Sequence, residues 1–189
     1  MPGGPRRTGA LAAWFQRLYA AHESVPILVG GAAVELYTGG AYTTGDLDFV
    51  GWLPTDVERS LREVTFRKEG RHWIHETGQI FIELPGSHLE PGETAVRIRV
   101  GSVLVRVISP EAILVDRLAA WQFWHSTIDA VNAFLLWRSL ERRLHRRTLI
   151  ALAKARGVGK ALRSLRDFVA KETVRAPIAE VEKWAEQKI

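Results

Sequence analysis

The sequence predicts an α+β fold: a small mixed or antiparallel sheet flanked by helices, followed by a C-terminal helical region. Three observations carry this expectation. The stretch from Val25 to Gly51, VPILVGGAAVELYTGGAYTTGDLDFVG, has the pattern strand, glycine turn, helix, loop, strand. Two pairs of apolar segments follow, one around Thr77-Gly78 and one around Gly101-Ser102, as hairpins require. From Ser109-Pro110 to the end the apolar spacing is helical. The expected division is a flexible tail over 1–9, a core over 10–109 and a helical region over 110–189.

Leu11, Trp14, Phe15 and Leu18 recur at helical spacing, so Ala10 to His22 is expected to be an amphipathic helix covering the first strand. Ser24 to Val29 should be that strand, Ala32 to Tyr37 a short helix, and Gly39-Gly40 its stop. Pro54 and Thr55 open a further helix, with Thr55 and Glu58 spaced as a capping box. Arg71 to Glu76 and Gln79 to Leu84 form the first expected hairpin. Ala95 to Val100 and Val103 to Ile108 form the second. Arg97 and Arg99 in the latter either line a substrate groove or form the wet face of an edge. Trp121, Phe123, Trp124 and Trp137 are expected in the core rather than as base-stacking platforms. Leu140, Leu144, Ala151 and Ala155 mark one buried seam, with Arg138, Arg142 and Arg146 opposite.

Side chains alternate across a strand, so Asp46 and Asp48 face the same way while Leu47 and Phe49 pack on the other side. Two carboxylates held that close repel unless a cation lies between them, and oxygen ligands favour Mg²⁺ or Mn²⁺. Gly30-Gly31, at a strand-to-helix turn, lets backbone approach a ligand closely, and the helix N-terminus there favours phosphate. Phosphate cradle and metal carboxylates in that order describe a nucleoside triphosphate site. The alternative is a tight turn plus two solvated aspartates.

The same residues carry a resemblance. Apolar-Gly-Gly, a helix, then Asp-apolar-Asp-apolar resembles the polymerase-β-like nucleotidyltransferase superfamily. The form Gly-Gly-Ala-Ala-x-x-x-Tyr with Thr-x-Asp-Leu-Asp-Phe looks most like its small bacterial branch related to the abortive-infection toxin nucleotidyltransferases. The resemblance spans about Val25 to Asp129. It implies a nucleotidyltransferase-type sheet and catalytic, metal-holding roles for Asp46, Asp48 and a third acid. Glu83 in Ile80-Phe81-Ile82-Glu83-Leu84 is the candidate third acid; an outward-facing surface Glu is the competing reading, and Glu76 the second choice. Gly30, Gly31, Thr44 and Arg117 are the implied nucleotide contacts, with Asp129 matching an acid that follows the basic residue. Arg117 stands where much of that branch has Lys, which leaves a surface ion pair as its alternative role.

The absence of cysteine rules out disulfides and thiolate sites. No apolar run reaches the eighteen or so residues that a membrane span needs, and the Pro-, Gly- and Arg-containing start is not a secretory signal, so a cytoplasmic protein with no membrane partner is expected. The net charge is +5, yet Arg138 to Arg166 holds ten basic residues against the single acid Glu141. That segment is +9 and the remainder −4, so Arg138, Arg142 and Arg146 are candidate nucleic-acid contacts, the alternative being a solvated face. The expected activity is Mg²⁺-dependent transfer of a nucleoside monophosphate from a nucleoside triphosphate to a hydroxyl, on tRNA, another RNA or a protein. A toxin role would add a cognate antitoxin as partner. Two other classes compete: an inactive binding or regulatory module of the same fold, and a nucleic-acid binder that uses the basic helices.

Overall fold

The computed structural model describes residues 4–172 and 176–186, and the chain forms two compact units, Met1–Ser109 and Pro110–Ile189. The first unit is built on a mixed seven-stranded sheet, β3-β4-β5-β2-β1-β7-β6. Its strands are β1 (Ile27–Val29), β2 (Asp46–Val50), β3 (Arg67–Glu69), β4 (His72–His75), β5 (Ile80–Gly86), β6 (Ala95–Val100) and β7 (Val103–Ile108). Neighbours are antiparallel except β1 with β7 and β2 with β5. Both expected hairpins form, the second with the expected limits. β3 was not expected, because all three of its residues are exposed and carry no apolar alternation.

Helix α1 (Pro5–Arg17) begins five residues before the expected start. Residues 5–9 are therefore helical rather than a tail, and residues 1–3 of that expected tail lie outside the described residues. Pro in the first turn suits a helix start, and the buried face runs from small residues at its N-terminal end, Thr8, Gly9, Ala12 and Ala13, to Phe15 and Gln16. A Cβ on Gly9 would lie 2.6 Å from Val100 Cγ1, so α1 packs on β6 with no room for a side chain there. Gln16 is buried by design of its bonding: Nε2 donates to the carbonyls of Pro26 (2.9 Å) and Arg106 (2.6 Å), and Oε1 accepts from Arg106 N–H (2.9 Å). The helix is thus latched to β7 and to the approach to β1.

Helix α2 (Gly30–Thr38) follows β1 without a loop and stops at Gly39 in the left-handed conformation. Helix α3 (Thr55–Glu63) has Pro54 as its N-cap, with no side-chain cap bond. The expected capping box is therefore absent: Thr55 is already helical, and Glu58 pairs with Arg62 one turn on at 2.8 Å.

The second unit is helical: α4 (Pro110–Trp124), α5 (Thr127–Leu140), α6 (Arg146–Ala155), α7 (Gly159–Glu172) and α8 (Ile178–Ala185). The expected seam fails in its second half, where Ala151 and Ala155 are exposed and Leu149, Leu152 and Ala153 are buried. The reason is a turn over 141–145 that resets the helical phase. Buried Glu111 of α4 docks that turn by accepting the His145 N–H at 2.7 Å. Trp121 and Trp137 are buried as expected, whereas Phe123 and Trp124 are exposed.

Candidate active site

Strand pairing sets the site. Val29 of β1 lies opposite Asp48, and Asp48 lies opposite Glu83 of β5. Residues in one cross-strand row project to one face, so Asp48 and Glu83 share a face, and Asp46 joins them two residues along. Leu47 and Phe49 are buried on the other side, as alternation requires. Glu76 sits beyond β4, is exposed and pairs with Arg67. Of the two acids weighed for a third position, Glu83 is therefore the one beside the Asp pair.

Gly30 adopts φ +62, and a Cβ there would lie 2.2 Å from Asp48 Oδ2. The carboxylate thus occupies the space a side chain would fill, seated on the β1–α2 bend. Gly31 is overlaid in the same way by Thr44, whose Oγ1 would lie 3.2 Å from a Cβ. Thr44 is held in turn: its N–H donates to Glu35 Oε2 (3.3 Å), and its Oγ1 accepts the Asp46 N–H (3.3 Å). Val29 as N-cap of α2 supplies no side-chain bond to the first helical N–H groups. Gly30, Gly31, Thr44, Asp46 and Asp48 are consequently one assembly.

Glu83 is buried, and its oxygens are engaged: Oε1 lies 3.0 Å from Arg71 Nε and Oε2 lies 3.4 Å from His72 Nδ1. Among the described residues no three His, Asp or Glu side chains are grouped as a cage for a metal ion. The donor set at Asp46 and Asp48 fits Mg²⁺ nonetheless, since that ion is commonly bound by one or two carboxylates plus substrate phosphates.

No protein-family model matches the sequence, and no curated protein matches it either. Among solved structures the chain is similar to the crystal structure of an antigenic nucleotidyltransferase-like protein from Paracoccidioides brasiliensis. The similarity has a TM-score of 0.53 at 15% identity and covers 100% of this chain and 97% of that one. The fold is nucleotidyltransferase-like. At that identity the likeness is one of architecture, and the chemistry rests on the residues themselves.

In the helical unit, Arg117 is pinned between two acids. Nη1 donates to Asp129 Oδ1 at 2.7 Å, Nε donates to Asp116 Oδ2 at 3.1 Å, and Nη2 also pairs with Asp116. Asp129 is itself fixed at its backbone, where its N–H donates to the N-cap Ser126 Oγ at 3.3 Å. A phosphate approaching Arg117 would compete with both carboxylates. Arg138, Arg142 and Arg146 are exposed, but they fall on the end of α5, the following turn and the start of α6, so they do not line one helix face. Arg138 lies over the Phe134 ring at 5.7 Å.

Sequence reasoning missed Glu35, Arg71 and His72. The hairpin symmetry about Thr77-Gly78 already pairs His72 with Glu83, so that contact was within reach. Glu35 has no such signal: it is 1% exposed on α2, and only the path of the 41–45 loop brings Thr44 to it.

Proposed function

We propose that the protein is a metal-dependent nucleotidyltransferase that moves a nucleoside monophosphate from a nucleoside triphosphate to a hydroxyl of an RNA, such as a tRNA end. The observation that carries this is the Asp48 carboxylate seated on the Gly30 bend, with Asp46 on the same face of β2. Asp46 and Asp48 would hold Mg²⁺ or Mn²⁺, which neutralises charge on the triphosphate and on departing pyrophosphate. The Gly30 and Gly31 backbone receives phosphate oxygens, and Thr44 keeps Gly31 and Asp46 in register. Arg71 and His72 orient Glu83, which takes the proton of the attacking hydroxyl. The hydroxyl oxygen bonds to the α phosphorus in line, the bond to the α–β bridging oxygen breaks, and pyrophosphate leaves. Arg117, the phosphate contact that the resemblance implies, is held by Asp116 and Asp129 and takes no step in this scheme. A cytoplasmic toxin with a protein antitoxin belongs to the same proposal, as the branch resemblance implies.

The engagement of Glu83 by Arg71 and His72 favours one second reading: a module that binds a Mg²⁺–nucleotide without turning it over. Incubation with each labelled nucleoside triphosphate, Mg²⁺ and total RNA separates the two. A labelled RNA species is expected with the wild-type chain, and a loss of about a hundredfold or more with Asp46→Asn or Asp48→Asn at unchanged far-UV circular dichroism. Nucleotide binding with no labelled product would establish the second reading, and undiminished transfer by both variants would remove the metal assignment.

A further inference from the structure

We propose that the groove between α6 and α7 is a binding site for an unpaired stretch of RNA, with phosphates on Lys154, Lys160, Arg163 and Arg166 and a base stacked on Phe123. The groove encloses about 560 Å³, and the four cations are the whole of its charged lining, over a floor that includes Ile150 and Leu162. None of the four takes part in an ion pair among the described residues. The neighbouring cleft between α7 and α8, about 690 Å³, shares Lys160 and Arg163 with the groove and adds the acids Asp167 and Glu180, whereas Lys154 and Arg166 line the groove alone. Four like charges without an ion pair in one groove repel one another, and a polyanion that places a phosphate beside each relieves that repulsion while releasing its own counterions.

The groove is held open by its hairpin. Val158 is fully buried between the two helices, and the Gln122 amide clamps the turn from both sides. Its Nε2 donates to the Gly157 carbonyl at 2.9 Å and its Oε1 accepts the Ala161 N–H at 3.2 Å. Arg163 Nη1 lies 3.6 Å from where a Cβ on Gly159 would be, so the guanidinium rests against the hairpin. Phe123 Cζ lies 3.9 Å from the corresponding point on Gly157, and the ring is 54% exposed; the adjacent Trp124 is 82% exposed. An exposed aromatic beside a cationic groove is the pairing that single-stranded nucleic acids require, since any base can stack while the backbone is tracked by charge. The choice of RNA rests on the RNA-acceptor reading above; the anion groove and its aromatic do not.

The test is fluorescence anisotropy of the full chain with a labelled, unstructured RNA of about 12 nucleotides, without nucleoside triphosphate or Mg²⁺. Affinity should fall with salt on a log–log slope near −3, about 0.7 per phosphate on a single strand. Lys160→Gln with Arg163→Gln should reduce that slope by about 1.4, and Phe123→Ala should weaken binding roughly tenfold to a hundredfold at fixed salt with the slope kept. Arg163→Lys should keep the slope. Arg17→Gln with Arg59→Gln removes the same charge from the other unit; an equal effect would show diffuse attraction only and overturn the groove. Competition by polyglutamate at equal charge would overturn the nucleic-acid assignment, and equal affinity for DNA of the same length would overturn the choice of RNA. Because no nucleotide is present, a catalytically silent protein still shows the slope, whereas transfer to RNA with a slope unmoved by the groove variants would sink the groove alone.

Discussion

At the scale of single residues, Gly30 is the position that admits least. Its φ of +62 disfavours any side chain, and the space for one is filled by Asp48 Oδ2. Gly30→Ala should therefore cost about 1–3 kcal/mol in urea unfolding and, by pushing Asp48 off the bend, abolish Mg²⁺–nucleotide binding measured by calorimetry. Unchanged nucleotide affinity in a folded Gly30→Ala protein would show that the bend and the carboxylate do not act together. The assembly at this point was legible because it depends on local rules: two-residue alternation gives Asp46 and Asp48 one face, and a glycine pair marks a strand-to-helix bend. Glu35 was not legible, since a carboxylate in the middle of a short apolar helix has no sequence mark of being an acceptor for a loop N–H nine residues away.

Among the elements, the two hairpins formed as periodicity and turn residues indicate, the parallel pairing of β2 with β5 carries no such local mark, and helix phase in the second unit departed from the expected seam. The run ERRLHRR contains neither Gly nor Pro, and the turn over 141–145 depends on Glu111, thirty-four residues earlier. The phase is testable: Leu152→Ala should cost about 2–5 kcal/mol, whereas Ala151→Ser should stay within about 0.5 kcal/mol, and the reverse ranking in urea melts would restore the continuous helix. The helices of the first unit offer a pH test. His22, just after α1, places Nε2 2.9 Å from Asp56 Oδ2 on α3, and this bond holds the Asp56 carboxyl below its ordinary range, against a smaller opposing effect of desolvation. A depressed carboxyl stabilises the fold above its ordinary range, and that contribution is lost as pH falls through it. Wild type and Asp56→Asn should accordingly differ in Tm at neutral pH and converge in acid. A gap that persists below the carboxylate range would assign the effect to something other than this pair.

For the molecule as a whole, the contrast in charge between the segment 138–166 and the rest was visible in composition, but which of its cations share a groove was not. Arg138, Arg142 and Arg146 are spread over two helices and a turn, and the cations that converge are Lys154, Lys160, Arg163 and Arg166. Aromatic placement shows the same limit, because apolar character alone does not separate buried Trp121 from its neighbours Phe123 and Trp124. Trp52 is 75% exposed and Trp124 is exposed too, Trp14 is half-buried, and Trp73, Trp121, Trp137 and Trp184 are buried. Acrylamide quenching should therefore be heterogeneous, and Trp52→Phe with Trp124→Phe should remove its most accessible fraction, leaving half-buried Trp14 and the buried four, while moving unfolding free energy by no more than about 0.5 kcal/mol. A single uniform class would contradict that distribution.

The sheet order also bears on how the chain is born. β1 first pairs with β2, but its other neighbour, β7, is the last strand translated, and the contact runs from Leu28 to Val107. Until β7 leaves the ribosome, one flank of an interior strand stays open to whatever strand it meets, its own or another nascent chain's. Slowing elongation before β7 should therefore increase aggregation, and slowing it afterwards should not.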